Sequence, residues 1–250
     1  MLVSAAVCPC PPLLVPALAA GAVSELDAAR DACADALGVL AASRPDRLIV
    51  VGPAPGPRDL EPYPQGAHGS FRGYGVDVDV TLGVTPTGRG DREELSGDDV
   101  PPSPPLPTSL AVAAWLLARV SWSASPIHGL GVWEPLDAER CIKTGRDIAA
   151  EDERVALLAM GDASACRTLK APGYLDERAA AFDAEVARAL SSADVGALAA
   201  LDEALAAELK AAGRSCWQIL AGAAEGANLE GALLYEDAPY GVGYFVAAWS

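Results

Sequence analysis

The chain predicts an α/β fold: one domain over residues 1–250, with a central mostly parallel or mixed sheet and helices on both faces. Three short runs, 2–7 (LVSAAV), 47–51 (RLIVV) and 155–160 (VALLAM), are apolar apart from Ser4 and Arg47, the pattern of strands buried on both faces. Segments with helical spacing of apolar residues separate them, so strand, helix and strand alternate as in parallel sheets. With 250 residues, 51% of them hydrophobic and 21% charged, the chain can bury one large core.

The first strand covers about Leu2 to Val7 and runs into Cys8-Pro9-Cys10-Pro11-Pro12, where the prolines halt it. Ser24 is the expected cap of a helix reaching about Ala42, with Leu26, Ala29, Cys33, Leu37 and Leu40 on one face. Arg47 to Val51 is the second buried strand, closed by Gly52-Pro53. Residues 54–73 are rich in Gly and Pro and predict an ordered loop over the sheet edge. Val76, Val78, Val80 and Leu82 alternate with Asp77, Asp79 and Thr81, which predicts a strand with one buried and one wet face. The acidic, proline-rich stretch 84–107 reads as a mobile loop. Thr108 or Ser109 caps a helix to about Val120, a short strand spans Ile127 to Val132, and a helix runs from Asp137 to Ala150. After the third buried strand, the chain reads as helical from Leu175 to about Ala224, with breaks near Ser191–Asp194 and Gly213. Leu229–Tyr235 and Tyr240–Ala248 close the fold as a pair of strands.

The net charge of −16 and pI near 4.4 argue against nucleic acid and against anionic membrane surfaces as partners. A small molecule or a protein partner remains, and basic or cationic ones suit the charge. The six cysteines, at 8, 10, 33, 141, 166 and 216, follow no framework spacing and read as reduced thiols. The apolar start is not a secretory signal: no Lys or Arg precedes Arg30, and prolines 9, 11, 12 and 16 interrupt it. No apolar run is long enough to span a bilayer, so the expected location is the cytoplasm.

If the three buried strands are parallel neighbours, the turns at Cys8–Cys10, Gly52–Pro55 and Gly161–Cys166 converge on one sheet edge, where α/β proteins build their sites. The expected pocket comprises Cys8, Cys10, Pro53, Ala54, Pro55, Asp162, Ala165, Cys166, Arg167 and Arg214. The two arginines are the expected source of positive charge there.

Residues 3–16, VSAAVCPCPPLLVP, resemble the first strand and loop of the class III extradiol dioxygenase (LigB-like) superfamily, which includes the Memo-like proteins. That resemblance implies iron(II) held by two histidines and a carboxylate, or in Memo-like relatives by histidines and a cysteine. In the family the first turn carries an iron-binding histidine in a pattern near P-H-P-P-L-L; Cys10 stands there in this chain. The second histidine follows a strand ending in Gly-Pro or Ser-Pro, whereas this turn reads Gly52-Pro53-Ala54-Pro55-Gly56. The acid–base histidine lies in a motif like G-D-x-S-H-R, and the matching residue of Gly161-Asp162-Ala163-Ser164-Ala165-Cys166-Arg167 is Ala165. Ala171-Pro172-Gly173-Tyr174, Phe182-Asp183 and the ending 234–244 (LYEDAPYGVGY) also resemble the family. Its third ligand falls near Ala212-Gly213-Arg214, with Glu203, Glu208 and Glu225 as nearby carboxylates. The scaffold motifs are present, and the positions that bear the chemistry depart.

The chain contains only two histidines, His68 and His128, neither at a matching position. His68 reads as a solvated loop residue, and His128 as a hydrogen-bonded strand residue or a pocket-rim group. Cys10 and Cys166 approach the same predicted edge and are either inert space-fillers, ligands for a soft metal such as zinc, or a redox pair. Asp77 and Asp79 read as a solvated strand face. The leading expectation is a LigB-like protein with a degenerate metal site, acting as a ligand-binding or protein-interaction module without a cofactor. The alternative is a metal-dependent oxidoreductase, with iron(II) or zinc on an unconventional site that includes Cys10 and His128. Superfamily enzymes often assemble as dimers or with a second subunit, so the resemblance is compatible with a homodimer.

Overall fold

The computed structural model describes residues 1–56, 58–83, 104–150 and 153–250. Its first strand, β1 (Leu2–Cys8), is followed by a single helical turn, α1 (Pro16–Ala19), and by α2 (Asp27–Ala42). The expected Ser24 cap is not one: Ser24 lies inside a 3-10 segment, and α2 starts at Asp27 behind Leu26. Arg30 fixes that entry, buried and bonded to the Leu14 and Val23 carbonyls and to Asp27.

Next come β2 (Arg47–Pro53), β3 (Leu60–Tyr63), β4 (His68–Ser70) and β5 (Asp79–Thr81). The predicted strand 76–82 shrinks to β5 and leaves the main sheet, pairing antiparallel with β4 alone. Its acidic face is neutralised by Arg72, which binds Asp77 at 2.7 Å and Asp79 at 2.6 Å. The expected mobile loop falls, but for residues 104–107, outside the described residues.

The chain continues with α3 (Thr108–Arg119), β6 (Ile127–Val132), α4 (Ala138–Ala149) and β7 (Val155–Met160). Asp137 caps α4 by accepting from the Arg140 amide. The last third holds α5 (Ala179–Ser191), α6 (Val195–Ala199), α7 (Glu203–Glu208) and α8 (Arg214–Ala224), then β8 (Gly231–Asp237) and β9 (Tyr244–Trp249). Residues 175–178, expected to be helical, precede α5.

The seven-stranded sheet has the order β3-β6-β2-β7-β1-β9-β8. Its four central strands, β6, β2, β7 and β1, are parallel, and β3, β9 and β8 add antiparallel pairs. Alternate residues of the inner strands feed two cores. Ala5, Val7, Val51, Leu157 and Phe245 pack against α4, α5 and α8, while Ala6, Cys8, Val50, Leu158 and Val246 pack against α2 and α3. The sheet is thus mixed and covered on both faces, as the apolar runs predict. Among the described residues, no helix is long and apolar enough to cross a membrane.

On one face, α4 and α8 touch through glycines. A Cβ on Gly222 would lie 2.1 Å from the Ile142 carbonyl oxygen, and one on Gly145 would lie 2.0 Å from that of Ile219. This close approach packs α8 against α4, and α8 begins at the site.

Candidate functional site

β1, β7 and β2 are adjacent and parallel, so their following turns share one edge. Two contacts join the first pair of turns: the Gly161 amide donates to the Cys8 carbonyl at 3.0 Å, and the Cys10 amide donates to Asp162 Oδ1 at 2.8 Å. A third segment closes over them. A Cβ on Gly161 would lie 2.3 Å from Gly213 Cα, and the Gly213 amide donates to the Asp162 carbonyl at 2.9 Å. Only glycine at position 161 admits the backbone before α8 this closely.

The start of α8 carries Arg214, which is 4% exposed. Its guanidinium donates from Nη1 to Leu136 O and Gln218 Oε1, and from Nη2 to Glu134 O. Ser215 Oγ donates to the same Glu134 carbonyl at 3.0 Å. The loop after β6 is thereby tied to α8 through its backbone, and the Glu134 side chain is left buried with Oε1 lacking a hydrogen-bond partner. Trp217 Nε1, on the indole that packs against Gly213, is likewise buried without a partner.

The electrostatics follow from this burial. Desolvation pushes Glu134 up to about 8; Arg214 opposes the shift and Asp162 adds to it. Desolvation also pushes Asp162 up to about 7, against the stabilising Cys10 amide. Burial raises the thiols of Cys10 and Cys216 well above their ordinary range, with the negative charges of Asp162 and Glu134 adding to the effect. Two carboxyls that titrate near neutral pH therefore stand beside two thiols held protonated, an arrangement able to give or take protons and to hydrogen-bond a ligand. A cleft of about 590 Å³ opens between Glu134–Pro135 and the segment from Glu203 to Arg214.

Of the expected pocket residues, the structure gathers Cys10, Asp162 and Arg214 around Glu134. Pro53, Ala54 and Pro55 end β2 at the same edge, with Pro53 O accepting from Ser109 Oγ and the Ala54 amide donating to Val132 O. Cys8 is fully buried against Cys33 on the α2 face. Ala165 is buried, its amide on Leu209 O. Cys166 donates its thiol to that same carbonyl and packs in the core opposite to the one holding Cys10, which corrects the expectation of a Cys10–Cys166 pair. Arg167 pairs through Nη1 with the fully buried Asp183 at 2.9 Å and lies away from the Glu134 cleft. Asp183 also accepts from the amide and hydroxyl of Ser164 and so holds the loop 162–167.

His128 stands at the other end of the parallel strands, in register with Ile49 and near Arg47 and Glu153. It is exposed there, which corrects the expectation of a site shared with Cys10. His68 is exposed on β4 beside Thr81. Both histidines of the chain therefore lie away from the edge, and among the described residues no three His, Cys, Asp or Glu side chains converge on a metal position. With no imidazole at the edge and no such cluster among the described residues, the residues present do not fit the two-histidine ferrous site that the resemblance implies. Glu134 is the residue of this candidate site that sequence reasoning missed. The one available signal was its place just after a fourth strand, 127–132, ending at the same edge.

No protein-family model and no curated protein matches the chain. Among solved structures it is similar to the crystal structure of the uncharacterized protein JW3007 from Escherichia coli K12, at 15% identity over 99% of both chains with a TM-score of 0.55. That likeness is one of fold, and the class it defines is an α/β domain on a mixed seven-stranded sheet.

Proposed function

We propose that the chain is a LigB-like protein whose sheet-edge site holds a small-molecule ligand and does no ring cleavage. The observation that carries this reading is the buried Glu134 carboxyl, with an unpartnered Oε1, on the wall of a 590 Å³ cleft at the edge where the strands end. The LigB-like element of the reading is supported by the way its motif residues meet: Cys10 on Asp162, and Asp183 on Ser164 and Arg167. A two-imidazole iron site has no support, because both histidines stand elsewhere. The oxidoreductase alternative built on Cys10 and His128 loses its geometry for the same reason. Six free, buried cysteines suit a reducing cytoplasm, where we place the protein.

The test is to incubate the full chain anaerobically with ferrous iron, then supply catechols and dioxygen. The expected result is no ring-cleavage product and no saturable iron-dependent rise in melting temperature. Iron-dependent turnover above the rate of free iron would overturn the proposal.

A further inference from the structure

The walls of the cleft select the chemistry of its occupant, an inference that rests on reading the cleft as a ligand pocket. Pro135, Ala206, Ala207 and Ala211 form an apolar lining, so the body of a ligand is compact and apolar. The polar groups are few. Lys210 has no ion-pair partner among the described residues, and Arg214 keeps Nε–H and one Nη2–H free after its three bonds to Leu136, Gln218 and Glu134. Glu203 is committed through Oε1 to the Ala138 amide at 2.9 Å. Glu134 supplies the buried oxygen that nothing in the protein satisfies. We infer that the cleft binds a small molecule with an apolar body and a carboxylate, the carboxylate meeting Lys210, Arg214 and the Glu134 carboxyl.

The protonation of Glu134 decides between this ligand and a cationic one. A protonated Glu134 donates to an anion, whereas an ionised one repels it. Burial and Asp162 favour the protonated form, and Arg214 opposes it. The other titratable groups at Glu134 are the thiols of Cys10 and Cys216, neutral through burial, while Glu203 and Lys210 share the cleft wall. An ammonium ligand would face both Lys210 and Arg214, and the other carboxyl on the wall, Glu203, already accepts from the Ala138 amide.

Calorimetric titration of the full chain with phenylacetate, phenylacetamide and phenethylamine tests the inference. Phenylacetate is expected to bind, phenylacetamide more weakly, and phenethylamine not at all. Phenylacetate affinity is expected to fall about tenfold from pH 7 to pH 9, as the proton on Glu134 is lost near pH 8. Glu134→Gln keeps a donor but has no proton to lose, so its affinity should fall less over that range. Lys210→Ala, an exposed substitution, should weaken phenylacetate severalfold and leave phenylacetamide unchanged. Preferential binding of phenethylamine would overturn the carboxylate inference while leaving a ligand pocket. Binding of none of the three would also overturn it, and iron-dependent turnover would separately overturn the underlying reading. An equal pH dependence in Glu134→Gln would remove Glu134 from the site.

Discussion

Glu134 and Asp162 are set apart by what surrounds them: neither has a cation on its carboxyl, and both are desolvated. The consequence is a pH dependence of unusual sign. The folded pKa of Glu134, about 8, lies above its unfolded value of 4.5, so between those limits the folded chain holds a proton that the unfolded chain releases. Stability contributed by Glu134 therefore falls as pH rises through that window and levels off above it. Asp162 adds the same trend between 3.8 and about 7. Glu134→Gln removes the first of these losses. At pH 9 it should stabilise the chain by about 1–3 kcal/mol, because the parent then buries an ionised, unpaired carboxylate. In a chain of this size that is about 2–4 °C of melting temperature per kcal/mol. Thermal unfolding of parent and variant between pH 5 and 9 reads this directly, and parallel profiles would refute the burial argument. Glu134 was hard to see in the sequence, since no motif marks Trp133-Glu134-Pro135. Its burial is made by Arg214, which ties down the Glu134 carbonyl from a position 80 residues further along the chain. Cys10 and Asp162 were legible because apolar runs end just before them, and Arg214 because the family's third ligand was expected near it. Cys166 was misplaced because the backbone turns after Asp162, and Asp183 pulls the loop to the other face.

At the scale of elements, the site depends on the contact between α4 and α8. Because the atoms facing Gly145 and Gly222 are backbone, a side chain there cannot be accommodated by a rotamer change. Gly222→Ala should cost about 1–3 kcal/mol or more. Urea unfolding reads the cost, and a midpoint equal to that of the parent would show that the crossing is not tight. Strands β1, β2 and β7 were legible because apolar residues run through them, and α4 because Asp137 marks its start. The strand expected at 76–82 failed for a physical reason. Alternation defines a face but not a partner, and the partner is β4, which with Arg72 satisfies the acidic side outside the main sheet. Ser24 failed as a cap because the buried Arg30 ties down the preceding 3-10 turn instead.

Over the whole molecule, the order of the four parallel strands brings the ends of β1, β7, β2 and β6 to one edge, and the two histidines fall outside it. The edge of this fold is where ligands are expected, and here it offers carboxyls and protonated thiols where the resemblance implies imidazoles. The fold was legible from the buried runs alone. The chemistry of the edge was legible only as far as the missing histidines, because the side chains that replace them meet through long-range packing. The most direct test of this account is elemental analysis of the full chain purified without chelator or an affinity metal. Iron and zinc far below one per chain, in protein that folds normally, is the predicted result. Near-stoichiometric iron or zinc would contradict it.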